Sequence, residues 1–420
     1  MLRARKGSWS AHLGQTRYKG QPAARFRRRQ GRVYFDMNMM AGDDSAILRR
    51  LYLQQDWQQL ALTAERRAQQ QPQDSEAWCF WGIGELMQLK GGPDKLLRAS
   101  LLGNAEAGLW LGILQEFSAH PSGTVPVSDF PSQIELARLR RSPYLDYPQE
   151  VHIETLAICN AACTFCPYPT MERQGDRMSD ELIDKIIDDL TQIPRQLPFN
   201  IAPFKVNDPF LDKRIFAVCA KLNERLPNAQ LRLFTNGSPM TDAIIEKSAA
   251  IKNVTHLWIS LNEYEAEPYQ TLMKLPLERT LAKLDRLHEL VAKGRYPHHV
   301  TISRVTDGSE RDKGFLAFVQ QRYPAFRPFM IGEGNWSGQV RTRSERRVPG
   351  TGCFRWYELS IMASGKVALC CMDGEGKHVI GDVRTQSALE VYNSPGYRKM
   401  RQFTFSRKAA AAPCDTCVYF

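Results

Sequence analysis

Two rhythms of hydrophobic and polar residues divide this chain. Between residues 44 and 117, apolar side chains return every three or four positions. Leu48 and Leu51 lead in, Leu53, Trp57, Leu60, Ala64 and Ala68 continue, and blocks at Trp78, Trp81, Leu86 and Leu89, then Leu96, Leu97, Leu101 and Leu102, follow. That spacing lays one apolar stripe along a helix and predicts a run of amphipathic helices. The Pro- and Ser-rich stretch 120–131 reads as a linker. Beyond Pro148 the rhythm changes to short β-type runs at 151–156, 200–206, 230–235, 255–261, 298–305 and 327–331. Amphipathic helical patterns lie between them at 179–193, 212–226, 241–250, 277–293 and 309–322. Strand–helix alternation of this kind predicts a parallel sheet with right-handed crossovers.

Near the C-terminus, Trp356, Leu359, Ile361 and Val367 predict a β-hairpin turning at Ser364-Gly365. No run of about 18 apolar residues occurs, so no membrane span is expected. The N-terminus lacks a secretory apolar core, which argues against export. The net charge of +11 is concentrated at one end: residues 1–34 hold ten Lys or Arg and no acid, leaving about +1 for the rest. Such an arm can meet an acidic partner. Equally, residues 1–42 read as a solvated, disordered tail, or as an upstream extension if translation starts at Met37, Met39 or Met40. Nucleic acid is not an expected partner, because one basic arm without interleaved structure does not make a nucleic-acid surface.

Cysteine spacing carries the chemistry. Cys159, Cys163 and Cys166 stand in the stretch Cys-Asn-Ala-Ala-Cys-Thr-Phe-Cys-Pro. Three thiolates so spaced can hold three irons of a [4Fe–4S] cube and leave the fourth open to a small molecule. Zinc is the alternative, but a structural zinc site asks for four ligands and only His152 lies nearby. A second set, Cys353, Cys370, Cys414 and Cys417, suits one four-thiolate [4Fe–4S] cluster or tetrahedral zinc, and Cys371 could replace Cys370. Cys79 and Cys219 read as ordinary buried thiols. Seven of ten cysteines at cluster-like spacings point to a reducing, cytoplasmic setting rather than to disulfides.

The CxxxCxxC with Phe165 before its last cysteine resembles the signature of the radical S-adenosylmethionine (SAM) superfamily. Cys353, Gly365 and Cys370, with Ile380-Gly381-Asp382-Val383, Leu389-Glu390-Val391-Tyr392 and the closing Cys414-x-x-Cys417, resemble a SPASM domain shortened to a single auxiliary cluster. The stretch from Trp57 to Trp81 resembles a degenerate tetratricopeptide-type repeat, whose stacked helices usually form a groove for a peptide or protein; a plain helical bundle is the alternative. The resemblance implies an α/β fold, an open partial (β/α)6 barrel over 149–340. An N-terminal all-α helical-repeat module over 43–125 would precede it, and a small α+β cluster-binding domain over 341–420 would follow.

It also implies a [4Fe–4S] cluster that binds SAM through its open iron and cleaves it reductively to a 5′-deoxyadenosyl radical. Cysteines 159, 163 and 166 would ligate that cluster, and an electron donor such as flavodoxin or ferredoxin would reduce it. The family's Gly-Glu-Pro motif after the second strand is replaced here by Val206-Asn207-Asp208-Pro209, so Asp208 or Asn207 would meet the SAM ammonium. Ser260 and Asn262 match the position that contacts the ribose or carboxylate, and Arg304 is a carboxylate partner by its fork of donors. Glu263, Tyr264, Glu333 and Asp373 are cavity candidates with no assigned acid or base role. The expected activity is oxidative modification of a peptide or protein. A dehydrogenase or epimerase of a sugar or aminocyclitol is the alternative, and a non-catalytic binding protein a distant third.

Overall fold

The computed structural model describes residues 43–53, 56–119, 130–342, 348–402, 407 and 410–418, and the basic arm lies outside them. The chain divides into two compact units, 1–142 and 143–420.

Among the described residues, the first unit is helical: α1 (Asp43–Leu53), α2 (Trp57–Gln70), α3 (Ser75–Met87), α4 (Pro93–Leu101), α5 (Ala105–Ala119) and α6 (Phe130–Arg140). Asp56 and Asp74 start α2 and α3, their carboxylates accepting from the N–H groups of Gln59 and Ala77 at 3.1 and 3.0 Å. The predicted stripe faces inward: Leu48, Leu60, Ala64 and Ala68 are buried. Burial of each leucine contributes about 1.5–3 kcal/mol. Gly84 permits close packing, because a Cβ there would stand 2.9 Å from the Ala61 N and Cβ of the facing helix. The leucine block of α4 is split. Leu96 and Ala99 turn inward, while Leu97 and Leu101 are 49% and 76% exposed. Helix α6 begins one residue before the expected linker ends at 131, and residues 120–129 lie outside the described residues.

The second unit is built on one open nine-stranded sheet in the order β6-β5-β4-β3-β2-β1-β7-β8-β9. Strands β1 (Glu150–Ile153), β2 (Phe199–Ala202), β3 (Ala229–Thr235), β4 (Val254–Ser260), β5 (His299–Thr306) and β6 (Arg327–Gly332) pair in parallel, each with the next. Helices α7 (Asp180–Leu190), α8 (Ile215–Arg225), α9 (Asp242–Ala249), α11 (Leu277–Ala292) and α12 (Glu310–Arg322) connect them, and a short α10 (Ala266–Met273) is an addition to the predicted pattern. The sheet does not close, which is the architecture of a partial barrel. Leu233, Leu257 and Ile259 are fully buried, and a Cβ on Gly237 would stand 3.2, 3.3 and 3.4 Å from the side chains of Ile259 and of Leu284 and Thr280 of α11. Phe234 and Trp258 alternate with them and are half-buried on the opposite, inner face.

β1 and β2 stop earlier than the hydrophobic runs suggest. Their continuation is taken by Glu154, fully buried, whose carboxylate accepts from the N–H of Val206 and of Ala363 at 3.3 Å each and from Arg173. The Glu154 side chain thus ties three loops together where the strands end, while its N–H still donates to the Ile361 carbonyl at 2.9 Å. β7 (Glu358–Ile361) pairs in parallel with β1, Glu150 opposite Glu358, and turns at Gly365 (φ 86°) into antiparallel β8 (Lys366–Ala368) and β9 (Val379–Asp382). The C-terminal segment therefore extends the barrel sheet at its β1 edge. Helices α13 (Ala388–Tyr392) and α14 (Pro395–Arg401) follow.

Candidate cluster and cofactor site

The loop after β1 carries Cys159, Cys163 and Cys166, all half-buried. Helix α10 supports it: the N–H groups of Ala162 and Thr164 donate to the carbonyls of Met273 and Leu272 at 3.3 and 3.0 Å. Trp336 Nε1 donates to the Phe165 carbonyl at 2.9 Å, fixing the residue before the last cysteine. A turn closes the segment, Cys166 N–H to the Cys163 carbonyl at 3.2 Å. Burial pushes the Cys159 and Cys166 thiols up to about 12 and 11, and the Cys163 thiol rises with burial and the nearness of the other two. Three neighbouring thiols in a dry loop ionise together only beside a strong positive centre, and that is the environment iron supplies. The donor set fits a cluster.

Asp208 and Asn236 pack against Cys159. Asp208 is 2% exposed, and its carboxylate accepts from Thr235 Oγ1 at 2.8 Å, from the Asn236 N–H at 3.0 Å and from the Phe210 N–H at 3.2 Å. Burial pushes its carboxyl up to about 6 against those bonds. The carboxylate is thus engaged in holding the end of β3. Asn236 in turn donates to Asn160 Oδ1 at 2.8 Å and brings its Nδ2 to 3.9 Å from Cys159 Sγ. Asn207 accepts from the Lys205 N–H at 2.9 Å, while its Nδ2 is buried without a partner among the described residues.

The remaining SAM candidates are placed differently. Ser260 is half-buried at the end of β4. Asn262, with φ 65°, stitches β4 to β5 by accepting from the Val305 N–H at 2.9 Å, and its Nδ2 lies 3.2 Å from Met273 Sδ, which is 3.5 Å from Cys163 Sγ. Arg304 has the parity of Val300 and Ile302, on the helix-facing side of β5. Its guanidinium is engaged by Glu263, Asp307 and Asp312 at 2.6, 2.9 and 2.8 Å. Of the cavity candidates, Glu263 is paired to Arg304 and Arg311, and Tyr264 stacks on Phe318 at 5.6 Å. Asp373 holds the N–H groups of Gly376, Lys377 and His378 at 3.1, 2.9 and 2.8 Å. Glu333 is buried.

The second cysteine set repeats the local design of the first. Cys417 N–H donates to the Cys414 carbonyl at 3.2 Å, the same turn as at Cys163–Cys166. Burial raises the thiol of Cys353, with Cys417 adding to it, and raises Cys414 to about 11, with Cys353 and Cys417 adding. The Cys370 thiol rises with burial and with Cys371, Cys353 and Cys414 beside it. Cys371 has another neighbourhood: Arg355, Glu358, Lys205 and Glu150. Cys370 thus neighbours Cys353 and Cys414, whereas Cys371 neighbours Arg355, Glu358 and Glu150.

Lys205 was not a sequence candidate. It is 1% exposed, in the loop three residues past β2, and its ammonium donates to Ser360 Oγ at 3.2 Å and to the carbonyls of Cys370, Cys371 and Asp373 at 3.2, 3.4 and 2.9 Å. A lysine inside an apolar strand pattern was the available signal.

The radical SAM superfamily profile matches residues 153–308, and the profile of an iron–sulfur cluster-binding domain, SPASM, matches 353–418. No curated protein matches the chain. Similar solved structures include Streptococcus suis SuiB bound to precursor peptide SuiA, 15% identical over 78% of this chain and 85% of that one, with a TM-score of 0.49. BtrN in complex with AdoMet and 2-DOIA is 13% identical over 64% and 92%, TM-score 0.47. Native anSMEcpe with AdoMet and the Cp18Cys peptide is 15% identical over 61% and 81%, TM-score 0.44. The profile matches fall on the two cysteine sets and the sheet that carries them: the chain is a radical SAM enzyme with a C-terminal SPASM domain, and its cofactors are a [4Fe–4S] cluster, S-adenosylmethionine and auxiliary iron–sulfur.

Proposed function

We propose that this enzyme oxidatively modifies a peptide or protein. Cys159, Cys163 and Cys166 hold the SAM cluster in this reading, and Cys353, Cys370, Cys414 and Cys417 hold one auxiliary [4Fe–4S] cluster. When bound, these groups supply a radical that removes a hydrogen atom from the substrate and a site that takes up the electron left behind. The chain's own groups orient and exclude water. The buried Asn207 N–H and the Ser260 hydroxyl are assigned to SAM, while Asp208 and Asn262 position the loops around it. A flavodoxin or ferredoxin in a reducing cytoplasm is the proposed electron source.

The observation that carries the substrate class is an aromatic ladder across the inner face of the sheet. Phe204 stacks on Phe234 at 4.7 Å, Phe234 meets Trp258 at 5.6 Å, and Trp258 meets Phe329 at 5.2 Å, with Phe329 41% exposed. A row of rings over several strands offers apolar area for successive peptide side chains, whereas one sugar ring covers a single platform. The helical unit supplies a second surface of the kind that holds peptides.

The test is to incubate the reduced, reconstituted enzyme and SAM with a panel of peptides, including any short peptide encoded beside its gene. The expected product has lost two hydrogens. Trp258→Ala should raise KM for the peptide without lowering uncoupled 5′-deoxyadenosine formation. Removal of residues 43–118 should abolish peptide turnover and leave the iron content unchanged. Turnover of an amino sugar or aminocyclitol in place of any peptide would contradict the proposal.

A further inference from the structure

The pairing of β7 with β1 creates a second constellation. Glu150 and His152 project from one face of β1, Glu358 stands opposite Glu150 on β7, and Cys371 approaches from the loop after β8. One ligand atom each from His152, Glu358 and Cys371 lies within 4.8 Å of the others. His152 and Glu358 are 4% and 5% exposed.

The orientation of each group is set by a partner behind it. His152 Nδ1 lies 3.2 Å from the Phe204 carbonyl, which can only accept, so Nδ1 carries a proton and Nε2 is the ring atom turned to the two carboxylates. A metal-bound imidazole is commonly oriented by such a bond. Arg355 takes Glu358 Oε1 at 2.5 Å and leaves Oε2 facing the histidine. Arg232 takes Glu150 Oε2 at 2.8 Å and leaves Oε1 on the same side. Nε2 stands 3.6 Å from Glu358 Oε2 and 3.7 Å from Glu150 Oε1. Both Nε2 and Glu358 Oε2 are buried with no hydrogen-bond partner among the described residues.

Spacings of about 3.3–3.6 Å between ligand atoms are what bond lengths of about 2.0–2.3 Å around a tetrahedral zinc produce. Imidazole, thiolate and carboxylate together are a borderline donor set, suited to zinc rather than to magnesium or calcium.

We propose that His152, Glu358 and Cys371 form a mononuclear zinc site between the barrel and the SPASM domain, with Glu150 Oε1 the nearest group for the fourth position. The proposal rests on Cys370, rather than Cys371, serving the auxiliary cluster. Zinc at this site would clamp β1 to β7 and fix the peptide bond between Cys370 and Cys371, so the auxiliary cluster would sit in a loop anchored from both sides.

The test is metal analysis and zinc X-ray absorption on the reconstituted holoenzyme, using wild type, Cys371→Ser and His152→Gln. Wild type should hold about one zinc beside its iron, with one sulfur near 2.3 Å and the remaining scatterers near 2.0–2.2 Å. Each variant should lose at least tenfold in zinc affinity and keep its iron. Wild type without zinc, or zinc unchanged in both variants, would overturn the site. Loss of about four irons from Cys371→Ser would show instead that Cys371 serves the cluster, and a four-sulfur zinc shell would place the metal among the other cysteines; either result also overturns it. His152→Gln, which keeps all thiols, separates metal loss from damage to the cluster.

Discussion

Lys205 Nζ donates to the Cys370 carbonyl at 3.2 Å, so a charge from the mouth of the barrel is seated beneath a residue of the auxiliary cysteine set. The lysine is fully desolvated, and burial lowers its affinity for a proton. Its ammonium persists because three carbonyls and a hydroxyl surround it. The two halves of the second unit share more than a sheet edge: the loop bearing Cys370 is held by a side chain of the radical SAM barrel.

Replacing Lys205 by Met should therefore act on the auxiliary cluster. Charged hydrogen bonds of this kind are worth about 1.5–3 kcal/mol each, and their loss leaves buried carbonyls unpaired. Iron should fall from about eight to about four per chain, and the SAM cluster should remain. Full iron content in the variant, measured by metal analysis, would show that the loop holds itself.

Asp208 and Asn207 separate two roles that the sequence could not. Asp208→Ala removes the acceptor for Thr235, Asn236 and Phe210, and should lower stability by about 1–3 kcal/mol. Asn207→Ala removes an N–H with no protein partner and also the Oδ1 that accepts from the Lys205 N–H, so it should weaken SAM binding about tenfold and lower stability by about 1–3 kcal/mol as well. Calorimetry on both variants decides. Weaker SAM binding in Asp208→Ala at unchanged stability would return the contact to the carboxylate.

His256 gives a pH dependence. Burial, with Arg232 beside it, lowers its pKa from 6.5 to about 4. Between those values the unfolded chain binds a proton that the folded chain does not, so stability is full above pH 6.5 and falls as pH drops towards 4. His256→Gln should flatten the decline in thermal midpoint between pH 7 and 5. An unchanged slope would assign the loss to other groups.

Gly84→Val should destabilise the helical unit by about 1–3 kcal/mol, because the new side chain meets Ala61 across the helix pair. Thermal unfolding of the variant followed by circular dichroism checks this. A midpoint equal to that of wild type would mean that α2 and α3 can move apart at no cost.

Much of the architecture was legible because period and position coincide. Strands β3 to β6 appear where the β-type runs were read, and β1 and β2 at the start of theirs; in β3, inner and outer residues such as Phe234 and Leu233 alternate without interruption. Helix α10 escaped because its buried residues, Tyr269 and Met273, are too few to set a period. Both cysteine sets stand out by spacing as candidate ligands; which of Cys370 and Cys371 joins the second set does not, because it depends on which side of the loop each thiol takes. Arg304 shows the opposite failure: its residue type suggested an anion partner, but strand parity turned it toward Glu263, Asp307 and Asp312. Lys205 and Glu154 were invisible as a pair of ties, since Ser360 and Ala363, which they hold, lie more than 150 positions away in the sequence.

The central claim is that two cysteine sets hold two cubes, and iron and sulfide content of the anaerobically reconstituted protein tests it most directly. The account predicts about eight irons and eight sulfides per chain. The combined change of Cys159, Cys163 and Cys166 to Ala should halve both and abolish SAM cleavage. About four irons in the wild type, with zinc in a four-sulfur shell at Cys353, Cys370, Cys414 and Cys417, would contradict it.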